Sequence, residues 1–173
     1  MPKSKADRIL RMLLALSFVA FVWVIKDSFE DRVITVGDKA PNFSIKTDKG
    51  RTVSVSDFGG KVLVLNFWAT WCPPCIEEIP SLDQFAATMK DSGVVVLAVS
   101  VDKNEKAYRS FVQRNRPAFE TARDPDANIS SEYGTYKWPE TYVIDKNGKV
   151  VQKLISNQNW MDPQLVNGIK ALL

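Results

Sequence analysis

Apolar and polar positions divide the chain into one long apolar run near its start and a series of short apolar stretches separated by polar turns. Met12 to Ile25 is apolar apart from Ser17, with apolar residues on all sides of the helix it predicts rather than in one stripe. Phe43 to Thr47 and Arg51 to Val55 alternate around Asp48-Lys49-Gly50, the pattern of a hairpin in which glycine supplies the positive φ. Lys61 to Trp68 is β-branched, aromatic and almost uniformly apolar, which predicts a central strand covered on both faces. Ile76, Ile79, Leu82, Phe85, Ala86 and Met89 then recur at spacings of three and four, predicting an amphipathic helix over 73–90. Val94 to Val101 is a second buried strand, and a strand–helix–strand unit of this length implies parallel pairing with a right-handed crossover.

Further along, Asn104 to Arg116 reads as a polar-faced helix turning Tyr108, Phe111 and Val112 inward. Phe119 to Ala122 follows as a short strand, and Ala127 to Tyr133 as a short helix capped by aspartate. Pro139 to Asp145 and Lys149 to Ile155 flank Lys146-Asn147-Gly148, a hairpin signal that adds an antiparallel edge. Asp162-Pro163 opens a last helix with Leu165, Ile169 and Leu172 on one side. The expected class is α/β, a mixed central sheet flanked by helices.

The candidate chemistry lies between the first buried strand and its helix. Cys72 and Cys75 are the only cysteines, two residues apart, so no other disulfide can form within the chain. Pro73 and Pro74 suit the first helical turn, where a missing N–H loses no intrahelical partner, and this places Cys72 at the helix cap. The positive end of a helix favours a thiolate and lowers the thiol pKa from its free value of about 8.5. Cys72 is therefore expected to attack and Cys75, one turn further in, to resolve the mixed disulfide. The prolines remove two backbone donors near the sulfur, which points to a moderately acidic thiol and a reducing potential.

Trp71-Cys72-Pro73-Pro74-Cys75 after Phe67-Trp68-Ala69 resembles the thioredoxin fold, and Cys-x-x-Cys-x-x-Glu-x-Pro resembles its membrane-anchored TlpA/ResA branch. The resemblance runs from about Val36 to the C-terminus. It implies a thioredoxin-like domain with an N-terminal β-hairpin and an inserted strand–helix unit of roughly twenty residues around 119–133, preceded by a single transmembrane anchor. It also implies that Pro139, in Trp138-Pro139-Glu140-Thr141, is the family's cis-proline. Asn66 stands where ordinary thioredoxins carry a buried Asp, which makes Glu78 the expected acid/base helper, provided burial raises its pKa. Trp71 and Trp138 would then form an apolar shelf for an extended client. The implied activity is protein-disulfide reduction outside the cytoplasmic membrane. Clients would include apocytochromes c, electrons would come from a membrane donor of the DsbD or CcdA type, and no cofactor is needed beyond the Cys72–Cys75 pair.

Composition sharpens this. The net charge of +3 is concentrated at the start, where Lys3, Lys5, Arg8, Arg11 and Lys26 against Asp7 place +4 in residues 1–26. The rest, with 18 basic and 19 acidic side chains, carries no nucleic-acid footprint. The division expected is a signal anchor over 1–27, spanning through residues 9–25, a linker over 28–36 and a domain over 37–173. Its basic N-terminal flank keeps that end cytoplasmic and the domain outside. Three alternatives use the same residues: a disulfide oxidase or isomerase, a copper(I)-binding protein on the two thiolates, and a peroxidase. The absence of histidine weighs against copper. Ala69 and Leu65 stand where peroxiredoxins place threonine and proline, which weighs against the peroxidase.

Overall fold

The computed structural model describes residues 5–28 and 33–173, which form two units, a helix and a domain beginning at Val33. Helix α1 spans Lys5–Ser28. From Ile9 to Val24 its large apolar side chains are exposed on every side. Among the described residues, no helix is long and apolar enough to cross a membrane. The expected spanning anchor is thus without support in this helix. The physical reason lies in its first turns, where Asp7, Arg8 and Arg11 interrupt the apolar character and Asp7 pairs with Arg11 at 3.6 Å. The uncharged run that remains falls short of the roughly 20 residues a hydrocarbon core requires. The expected linker lies partly outside the described residues, at 29–32. Its C-terminal part is packed: Ile34 is buried, and its N–H donates to the Tyr133 carbonyl at 3.2 Å.

The domain is built on a five-stranded sheet. Its strands are β3 Val62–Trp68, β4 Val94–Ser100, β5 Glu120–Arg123, β6 Glu140–Ile144 and β7 Val150–Ile155, in the order β5-β4-β3-β6-β7. The hairpin strands β1 Ile45–Lys46 and β2 Thr52–Val53 form a separate two-stranded sheet. Strands β3, β4 and β5 are parallel, and β6 pairs antiparallel with both β3 and β7, so the sheet is mixed as the pattern predicts. Central β3 is buried at every position, which is why it reads as an apolar run rather than an alternation. Gly50 and Gly148 take φ near +80° in the two hairpin turns, where a side chain would be strained.

Helices α2 Pro73–Met89, α3 Glu105–Asn115, α4 Asn128–Glu132 and α5 Pro163–Lys170 complete the domain. Alternation along β3 sorts the core into two layers. Val62, Val64 and Trp68 meet Ile79, Leu82 and Phe85 of α2, Tyr108 of α3 and Ile169 of α5. Leu63, Leu65 and Phe67 meet the hairpin, Ile34, Tyr133 and Tyr142. Caps set where the helices begin. Asn104 Oδ1 accepts from Ala107 N, and Asp162 Oδ1 accepts from Gln164 N and Leu165 N. The cap position of α4 is Ala127, not an aspartate as expected, and Asp124, three residues before it, accepts from Ile129 N at 2.8 Å instead.

One charged group sits inside the second layer. Glu140 is fully buried, and its Oε1 accepts from Lys153 Nζ at 2.8 Å and from Tyr142 OH at 2.6 Å. Lys153 Nζ also donates to the Ile34 carbonyl at 3.2 Å and lies 5.0 Å above the Tyr142 ring. Removing one partner of such a pair strands the other charge without water. Lys153→Met is expected to destabilise the domain by about 3 to 5 kcal/mol. Adding Glu140→Gln should recover most of that loss, as measured by urea denaturation of the single and double variants.

Candidate active site

The site forms where β3 ends and α2 begins. Thr70 and Trp71 make the turn between them, and the turn is pinned from β4. Asp102, fully buried just past the end of β4, accepts from Thr70 N at 2.8 Å, Thr70 Oγ1 at 2.6 Å and Ser100 Oγ at 2.6 Å. Three short hydrogen bonds satisfy the carboxylate and fix the loop that delivers Cys72. Cys72 caps α2 with extended backbone angles, and Pro73 and Pro74 occupy the first helical positions, as the sequence predicts. Cys75 N donates to Cys72 Sγ at 3.3 Å. The two cysteines are joined as a disulfide, with Cα atoms 5.3 Å apart.

The two sulfurs differ in access. Cys72 is 5 % exposed and Cys75 is wholly buried, so an incoming thiol or disulfide reaches Cys72 first. Trp71 is 60 % exposed and meets the half-buried Trp138 edge to face, with ring centroids 5.8 Å apart. That contact brings the Trp138–Pro139 peptide, which is cis, alongside the cysteine loop.

Glu78 lies one turn beyond Cys75 on α2 and is 2 % exposed. Its Oε1 accepts from Asn66 Nδ2 at 2.7 Å, and its Oε2 accepts from the Gln158 backbone N–H at 3.0 Å. Asn66, on β3, also donates to Thr141 Oγ1 at 2.9 Å on the neighbouring β6, while its own Oδ1 is buried without a partner. Burial pushes the Glu78 carboxyl up to about 7; the Gln158 N–H, the Asn66 amide and the Trp160 indole all pull the other way and are outweighed. Glu77, by contrast, is exposed and accepts only from Asn157 Nδ2, at 3.3 Å.

The sequence singles out Cys72, Cys75, Glu78, Pro139, Trp71 and Trp138 as candidates but not the supports around them. The segment from Ser156 to Trp160 is the main one. Ser156 takes φ 76°, unusual for a residue with a side chain, and its N–H donates to the Pro139 carbonyl at 2.9 Å. Two residues on, Gln158 meets Glu78 through its N–H, and its carbonyl accepts from Ser81 Oγ at 3.3 Å. Trp160 is fully buried against Phe85 at 5.5 Å between ring centroids. No side-chain pattern marks these contacts, because most are made by backbone atoms. Asp102 left a fainter signal, a polar Ser100-x-Asp102 ending an apolar strand.

Five strands in this order, a helix opened by a Cys-Pro-Pro-Cys disulfide and a cis-proline loop beside it define a thioredoxin-like thiol–disulfide oxidoreductase. The chain belongs to the AhpC/TSA family, whose model matches residues 36–153. It is similar to the thiol–disulfide oxidoreductase ResA of Bacillus thuringiensis subsp. konkukian, with 32% identity over 151 residues covering 87% of each chain. The ResA of Oceanobacillus iheyensis is 36% identical over 147 residues, 82% of this chain and 75% of that one. Among solved structures, a protein assigned as thiol:disulfide interchange protein DsbE from Chlorobium tepidum superposes with a TM-score of 0.70. It is 32% identical and covers 80% of this chain and 95% of that one.

A carboxyl whose pKa is higher folded than unfolded binds more protons in the native state between the two values, so stability falls as pH rises through that window. For Glu78 the window runs from the ordinary 4.5 to about 7, and the loss amounts to about 3 kcal/mol. Glu78→Gln is expected to abolish this fall. The variant should be more stable than the parent at pH 8 and not at pH 4, as read by urea denaturation of the oxidised protein.

Proposed function

We propose that the dithiol works as a reductant of partner proteins, with Cys72 attacking, Cys75 resolving and Glu78 carrying the proton. The observation that carries this reading is the pairing of a reachable sulfur at a helix N-terminus with a buried one, and a buried carboxyl one turn beyond. In the reduced protein the Cys72 thiolate attacks a client disulfide, a new S–S bond forms to Cys72, and one client sulfur leaves as a thiolate. Cys75 then gives its proton to the Glu78 carboxylate, and its thiolate attacks Cys72 Sγ. The bond to the client breaks, the second client sulfur departs, and the Cys72–Cys75 disulfide closes. Two electrons have moved from the dithiol to the client, and Glu78 returns its proton to the departing thiolate or to water. A pKa near 7 suits a group that must take and release a proton around neutral pH.

Trp71 and Trp138 form the apolar shelf on which an extended client segment lies beside Cys72. By similarity to the TlpA/ResA branch, clients include apocytochromes c, and a membrane thiol donor of the DsbD or CcdA type returns the electrons. Residues 9–25 attach the chain to the cytoplasmic membrane, with the domain on its outer side. Support for this comes from the exposed apolar surface of α1 and the basic residues that precede it. The attachment is tested by extracting membranes with alkaline carbonate. The full chain is expected to stay in the pellet, and a chain beginning at Val33 to be released.

The direction of electron flow is read from the reduction potential, by equilibration with glutathione and dithiothreitol while following tryptophan fluorescence. A value near or below about −270 mV is the expected result, and one near about −120 mV would make the protein an oxidant. Cys75→Ser should trap clients as mixed disulfides on Cys72, and Cys72→Ser should trap none. Glu78→Gln should slow resolution between pH 6 and 8 with the fold intact, as measured by stopped-flow release of a fluorescent peptide.

A further inference from the structure

A residue that takes up and gives back a proton must be tolerated in both states, and the Glu78 site is too dry for water to adjust. As described, it is arranged for the anion. Both N–H bonds of the Asn66 amide are used, one on Glu78 Oε1 at 2.7 Å and one on Thr141 Oγ1 at 2.9 Å. The Gln158 N–H takes the other carboxylate oxygen at 3.0 Å. What remains is an acceptor with nothing to accept, Asn66 Oδ1, buried beside a group that gains a proton. An amide is nearly symmetric in shape but opposite in hydrogen-bond polarity at its two ends.

We propose that Asn66 is the positioning residue for proton transfer at Glu78, and that its amide turns over by half a rotation when the carboxylate is protonated. After the turn, Asn66 Oδ1 accepts from the new Glu78 O–H and from the Thr141 hydroxyl, while the amide NH2 takes the place of the orphaned oxygen. Each orientation leaves one end of the amide without a partner, so neither protonation state of Glu78 is locked by a fully satisfied network. This inference rests on the reading of Glu78 as the proton carrier and adds how the site accommodates the two states.

The surroundings favour such a device, because little else can respond to the proton. Strand β3 brings no charged side chain, and neither does the 156–160 segment. On β6 the side chains alternate, so Thr141 meets the Asn66 amide while Glu140 points into the opposite layer and pairs there with Lys153. On α2 the titratable neighbours are Glu77, which is exposed, and the two cysteines, which do not titrate while joined. The amide also explains why an aspartate would not serve at position 66. A second carboxylate at hydrogen-bond distance from Glu78 would form a like-charge pair that shares one proton, with one member held protonated well above neutrality.

The test uses the full oxidised chain in detergent micelles, labelled with 13C and 15N, followed by NMR from pH 5 to 9. The Glu78 side-chain carboxyl shift reports its protonation, and cross-peaks from the Asn66 NH2 protons to the Thr141 methyl report the amide. The expected result is that these cross-peaks are strong above the Glu78 midpoint and fade below it with the same midpoint. Asn66→Asp is expected to move the midpoint of Cys75-dependent resolution to higher pH, by at least a tenfold fall in proton concentration, with the urea midpoint at pH 5 retained. A Glu78 that titrates while the Asn66–Thr141 cross-peaks persist overturns the inference and leaves the proton-carrier reading standing. An unmoved midpoint in Asn66→Asp has the same effect. A Glu78 that does not titrate between pH 5 and 9 overturns both.

Discussion

Burial of the Glu78 carboxyl is the constraint on which the arrangement of this domain's site depends. A carboxylate taken out of water must find hydrogen bonds inside the protein or take up a proton, and here it stands between the two outcomes. Its partners come from three separate parts of the chain: β3 through Asn66, β6 through Thr141 behind Asn66, and the segment after β7 through Gln158. The same three parts carry the strand that leads to the cysteines, the strand that starts at the cis-proline, and the turn whose Ser156 N–H holds that proline's carbonyl. Satisfying one buried group therefore fixes the relative positions of the elements around the disulfide.

The fold was largely legible because its elements announce themselves by type. Strand β3 is buried on both faces and contains no polar residue but Asn66, and α2 shows an unbroken three–four spacing despite Pro80, which lies on its exposed side. The cysteines were legible through their spacing at the start of one helix, and Glu78 through the resemblance to the TlpA/ResA branch. What the sequence hid were contacts made by backbone atoms and contacts across large separations. Gln158 serves Glu78 through an N–H that every residue but proline possesses, and Asp102 serves Thr70 across 32 positions. One contact near the N-terminal side of the domain was hidden as well. Residues just before Val36 look like linker by composition, yet Ile34 finds a pocket in the second layer and is buried there.

Strand β6 shows how one short segment can serve two layers. Its residues alternate, so Thr141 belongs to the redox side and Glu140 and Tyr142 to the far side, where Phe67, Tyr133 and Tyr142 pack ring against ring. The cis-proline loop is thus supported on one side by an amide–hydroxyl bond and on the other by a buried ion pair. The client-facing edge needs that rigidity, because Trp138 holds its place beside Trp71 only if the strand following it does not shift.

Ile34 has a mechanical meaning as well. Its N–H is held by the Tyr133 carbonyl, its carbonyl by the Lys153 ammonium, and its side chain is buried. Any pull on the chain that precedes Val33 enters the domain there, and the load passes to β7 and the end of α4. Neither element carries a cysteine, but Lys153 of β7 also holds Glu140 beside the cis-proline, so tension on the leading segment reaches the client-facing edge through that ion pair and not through the cysteine helix.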